Sequence, residues 1–283
     1  MWLLLLGLLY RAPLLSLANL ATHDDNASHI FLIPLISAWL LFLDRKHLSL
    51  PRSLGYSDSL ILMIPAFLIV YFSLSSQSLT LSGRLTFLIL SLVLFLQAGF
   101  IAIAGRRTAR QSWFAMAFLF LAVPLPDSIA NHFIYALQAA SAWIAELLFN
   151  WSGVPVLRDG FIFHLPRVNI EVAQECSGIR SSIALLILAI LIAHFAFRPF
   201  WKKALFIAAG LAMMVVKNGV RIVTLTLLAN YVDPDFLFGK LHHQGGIVFF
   251  LLGLVLLLPI YKLLTRGEAR QAAAQPSAIP PAS

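Results

Sequence analysis

The sequence predicts an all-α polytopic membrane protein of about eight spanning helices, with an extracytoplasmic amphipathic helix and a small strand-like cap. Three observations predict it. Hydrophobic residues make up 60% of the 283 positions and charged residues only 11%, far from the balance of a water-soluble domain. Apolar runs recur at the length of roughly 20 residues that a helix needs to carry its backbone polar groups through hydrocarbon. Between those runs the basic residues collect in small groups on alternating sides, as expected where short cytoplasmic loops retain Lys and Arg.

The runs predict spans near 2–20, 28–43, 57–75, 85–104, 112–124, 178–197, 204–229 and 246–264. The first contains Arg11, whose long side chain can snorkel to the interface. It lacks the basic start and small-residue cleavage site of a secretory signal. With the N-terminus inside, the inner loops hold twelve basic residues: Arg45, Lys46 and Arg52; Arg106, Arg107 and Arg110; Arg198, Lys202 and Lys203; and Lys262, Arg266 and Arg270. The outer segments hold four: Arg84, Arg158, Arg167 and Lys240. A net charge of +8 is therefore a matter of topology. Without a basic stripe or interleaved aromatics it does not indicate nucleic acid.

The stretch 128–150 is long enough for another crossing, but a ninth span would carry the basic run 198–203 outside. Asp127, Asn131, Tyr135, Gln138 and Ser141 form a polar stripe at helical spacing opposite Phe133, Ile134, Leu137, Ile144 and Leu148. This pattern predicts an amphipathic helix on the outer surface. Alternation over 151–172 predicts the cap. The chain then reads as one membrane-embedded domain over 1–266, with an extracytoplasmic segment at 125–177 and a disordered cytoplasmic tail at 267–283.

Three polar clusters sit at helix ends, all on the outer side of this topology. In the first, Cys176, flanked by Glu175 and Ser177, opens the sixth span. A cysteine there feels the positive end of a helix dipole, and Arg180 adds positive charge, which favours thiolate. A lone cysteine in a bundle is equally ordinary packing material. A single cysteine also excludes an internal disulfide. The second cluster is Asn218 and Arg221, which share a helix face with Thr224. From Lys203, a rise of 1.5 Å per residue brings Arg221 about 27 Å along, near the outer boundary. Ionisable residues in spans are functional by default, although an interfacial Arg beside Asn and Lys217 can simply snorkel. The third is His242 and His243. Paired histidines suggest a metal, but no further ligand stands at a recognised spacing, so no metal or other cofactor is assigned. Cysteine, imidazole and guanidinium together supply a nucleophile, a proton carrier and a fixed charge.

The segments GluCysSerGlyIleArgSer (175–181), AsnGlyValArgIle (218–222) and His242 with Gly246 and Phe249 resemble the exosortase and archaeosortase family of membrane cysteine transpeptidases. SerHisIlePheLeuIlePro (28–34) and the ValProLeuPro break (123–126) extend the likeness over nearly the whole chain. The resemblance implies a thiol protease of the cytoplasmic (inner) membrane whose active site faces the periplasm. Its partners would be the lipid bilayer, exported proteins with a C-terminal sorting signal of the PEP-CTERM type (ProGluPro, a spanning helix, a basic cluster), and an acceptor nucleophile that the sequence does not identify. It implies Cys176 as nucleophile, His242 as proton shuttle and Arg221 as charge stabiliser, with Asn218, His243, Arg180, Ser177 and Glu175 as candidate supporting residues. A transporter lined by Lys217, Arg221 and the histidines, or a His-ligated metalloprotein, are the alternative classes.

Overall fold

A computed structural model describes residues 1–45, 55–166, 168–172, 179–233 and 246–274, with the side chains of 25, 26 and 267–274 left aside. The chain is a multi-pass helical membrane protein with one small sheet. It divides into two compact units, Met1–His132 and Phe133–Ser283.

The first unit contains α1 (Trp2–Leu9), α2 (Arg11–His23), α3 (Leu32–Asp44, preceded by a 3-10 turn Asp25–Phe31), α4 (Tyr56–Ser75), α5 (Leu81–Gln111) and the short α6 (Trp113–Phe118), which tightens into a 3-10 turn at Leu119–Ala122. The first predicted span is a bent pair: α1 and α2 meet at 72°. Arg11 opens α2 and is exposed. The bend is held by α5, where Trp2 Nε1 donates to Phe95 O at 3.1 Å and the Tyr10 hydroxyl meets Ser91 Oγ at 2.8 Å. Apolar contact of Leu6 and Tyr10 with Ile89, Leu92 and Phe95 completes this core.

In α5, Thr80 caps the start by accepting from Gly83 N at 3.1 Å. The helix is interrupted at Gly105, whose φ of +78° suits only glycine. The break leaves Ala102 O free to accept from Gly55 N at 3.1 Å.

One predicted span fails. Over 112–124 the structure has a ten-residue apolar segment, Trp113–Ala122, too short to cross alone. Its limit is set by Pro124, which holds Val123 in extended conformation at φ −77° and ψ 118°. The stretch expected on the outer surface forms α7 (Asp127–Ser152), and α7 is long and apolar enough to cross. The expected polar stripe is divided. Asn131 and Tyr135 are exposed, but Gln138 and Ser141 turn inward, leaving Trp143 and Trp151 outside.

The second unit continues with the C-terminal part of α7, then β1 (Leu157–Asp159), β2 (Ile162–His164), β3 (Asn169–Glu171), α8 (Ile179–Ala196), α9 (Phe200–Tyr231) and α10 (Gly246–Ala274). The predicted cap is a three-stranded antiparallel sheet in sequence order, with Phe163 opposite Arg158 and Ile170. It lies along α7. Phe163 packs on Phe149 and Phe161 on Tyr135, Gln138 Nε2 donates to Val172 O, and Arg158 pairs with Glu146 at 2.7 Å. Phe163, Phe149 and Val172 share a core with Ile222 and Val223 of α9. A second core joins α8, α9 and α10 through Leu185, Phe206, Met214 and Leu257. α10 runs on to Ala274, so the expected tail is helical at its start; 275–283 lie outside the described residues.

Candidate functional site

Of the predicted site residues, Arg221, Asn218 and Arg180 are described. Cys176, Glu175, Ser177, His242 and His243 lie outside the described residues. Arg180, in the first turn of α8, is exposed.

The site is built on the middle of α9. Asn218 is 1% exposed and Arg221 9%, and Thr224 on the same face is half-buried. Burial at this depth follows from small residues that let other helices approach. A Cβ added at Gly219 would lie 2.8 Å from Ile144 Cβ and 3.4 Å from Ala145 N, so α7 packs directly on the AsnGlyValArg turn. On the opposite side of the unit, a Cβ at Gly253 of α10 would lie 3.0 Å from Leu185 and 3.4 Å from Lys217 Cδ. Phe249, Gly253 and Leu257 form the inward face of α10. Phe250 and Leu254 are partly buried against the α8–α9 core.

The polar inventory here is larger than the sequence suggested. Lys217 is completely buried, and its Nζ donates to Ser181 Oγ at 2.6 Å, joining α9 to the first turn of α8. Among the described residues, neither polar atom of the Asn218 amide has a hydrogen-bond partner, and the buried hydroxyls of Ser141, Ser182 and Thr226 have none either. Each such group costs about 1–3 kcal/mol when it is withdrawn from water unpaired. Their concentration around one helix therefore marks a site that sacrifices stability.

Lys217, Ser181 and Gly219 are the residues that sequence reasoning underrated. The signal was present: Lys217 and Arg221 are four apart and so share a face, and Gly219 between them is the close-packing position. Among the described residues no group of three His, Cys, Asp or Glu side chains could hold a metal. His164 faces Asn169 across the sheet, Nδ1 to Oδ1 at 3.1 Å.

No curated protein and no solved structure matches the chain. The sequence model of the family described as Transmembrane exosortase does match, over residues 20–259. That range takes in the long helices from α3 to α9, the sheet, the AsnGlyValArg turn and most of the membrane part of α10, and on this match the chain belongs to the exosortase family.

Proposed function

We propose that the protein is a cysteine transpeptidase of the cytoplasmic membrane that cleaves a C-terminal sorting signal from exported proteins on the outer side and passes the new carboxyl end to an acceptor. Family membership and the buried polar turn support this reading. The observation that carries it is Asn218 with Arg221: an amide without a partner among the described residues and a guanidinium, both buried and one turn apart, in a segment that carries the family likeness. Packing alone has no use for such groups.

In this mechanism the Cys176 thiolate attacks the scissile carbonyl carbon. Negative charge moves to the carbonyl oxygen, where Arg221 offers a fixed positive fork. Collapse expels the amine of the signal peptide, which takes its proton from His242, and leaves a thioester on Cys176. His242 then removes a proton from the acceptor nucleophile, whose attack releases the sorted protein and restores the thiolate. The signal is of the ProGluPro type followed by a membrane helix.

The test is co-expression with an exported protein carrying such a signal. Native protein should cleave it and, when acceptor is limiting, accumulate a hydroxylamine-labile adduct on Cys176. Cys176→Ala should insert normally and neither cleave nor form the adduct. Cleavage at the native rate by that variant would overturn the mechanism.

A further inference from the structure

We propose that Lys217 is a positioning residue, whose hydrogen bond to Ser181 locks the first turn of α8 to the part of α9 that carries Arg221. This inference rests on the transpeptidase reading above. Cys176 stands three residues before Ile179, where α8 begins, and Ser181 lies in the first turn of that helix. Lys217 stands one turn before Arg221. The bond of 2.6 Å between them therefore ties the helix that follows the nucleophile to the helix that holds the charge.

Stability does not explain this side chain. Lys217 is 0% exposed, and among the described residues its amino group has Ser181 as its hydrogen-bond partner and takes no part in the ion pairs of Arg106 with Asp58 or Arg158 with Glu146. A methionine of nearly the same length would fill the space without a desolvation cost. The path of the Lys217 stem is closely defined, because Gly253 of α10 leaves room for it and a Cβ there would touch Cδ. A long flexible chain has thus been confined on one side by α10 and bonded at its tip to α8. That arrangement fixes a distance between two helices, which is what a nucleophile and its charge partner need: a displacement near 1 Å can cost on the order of 10²-fold in rate.

The experiment uses full-length protein in detergent micelles or proteoliposomes, with Lys217→Met, Ser181→Ala and the double variant. Turnover should fall on the order of 10²-fold in Lys217→Met while KM for the sorted protein stays within about threefold. The unfolding temperature should be unchanged or higher. Ser181→Ala removes the same bond from the other side and should lose turnover in the same way, with the double variant no worse than the poorer single one. Because Cys176 is the chain's one cysteine, its alkylation by iodoacetamide gives a second readout, and the rate should change alike in both single variants. Native turnover and native alkylation in Lys217→Met would overturn the inference, as would additive losses or a raised KM with unchanged turnover. Loss of function in Cys176→Ala separates the two claims: if that variant still cleaves, the transpeptidase reading fails, and the alkylation rates still decide the role of Lys217.

Discussion

Gly219 and Ile144 are in direct contact: a methyl group at 219 would come within 2.8 Å of Ile144 Cβ. The turn that carries Asn218 and Arg221 is therefore shaped by the absence of a side chain between them. Gly219→Ala should push α7 away and cost about 1–3 kcal/mol as an overpacked core position, with a matching loss of processing. Ile144→Ala made in the same protein should recover most of both, which thermal unfolding in detergent and a cleavage assay would register. A single variant with native stability and activity would show that α7 does not bear on the turn.

Asn218 offers a separation of stability from activity. Its amide is buried and has no partner among the described residues, so Asn218→Leu, similar in shape and apolar, should unfold at the same or a higher temperature. If the amide serves the substrate, the same variant should lose at least tenfold in cleavage, about 1.4 kcal/mol of transition-state stabilisation. A stable and fully active Asn218→Leu would remove Asn218 from the supporting residues.

Between the two histidines, His242 is expected to handle the proton. In the sequence it stands four, seven and eleven residues before Gly246, Phe249 and Gly253, the spacing of one helix face, and Phe249 and Gly253 are buried. His242→Ala should abolish cleavage and His243→Ala should largely spare it. The opposite result would move the role by one residue.

The charge asymmetry requires one crossing between Arg110 and Arg158, and α7 has the length for it where Trp113–Ala122 has not. Exchanging one for the other leaves the number of crossings at eight when the bent α1–α2 pair counts once. Every basic loop then keeps the side that the bias assigns to it. Reporter fusions at 165, 200 and 238 should read outside, inside and outside; a cytoplasmic signal at 165 would overturn this arrangement.

The long spans were legible because hydrocarbon thickness sets a length that composition reveals directly. The bend at Tyr10 was not, since its cause is tertiary: partners on α5 at Ser91 and Phe95 hold two halves of a uniformly apolar run. The polar stripe on α7 had the right period, but period alone cannot tell water from a polar interior. Gln138 and Ser141 point to the latter. Arg221 and Asn218 stood out in the sequence because charge and amide are costly in a span. Lys217 beside them could equally have reached the interface, and only the contacts with Ser181 and Gly253 reveal that it does not.

α9 is anchored twice. Near its beginning Lys202 Nζ, also buried, donates to Leu264 O of α10 at 2.9 Å; fifteen residues on, roughly 22 Å along the axis, Lys217 holds Ser181 of α8. Two pins at that separation, on different neighbours, make α9 a ruler. It cannot slide lengthwise or rotate by a residue without releasing both, so the three helices move as one block. The sheet is tied to the same helix by other means: Phe163 and Val172 are buried with Ile222 and Val223 of α9 and with Phe149 of α7, so a shift of α9 along its axis would disturb the cap as well as both neighbours.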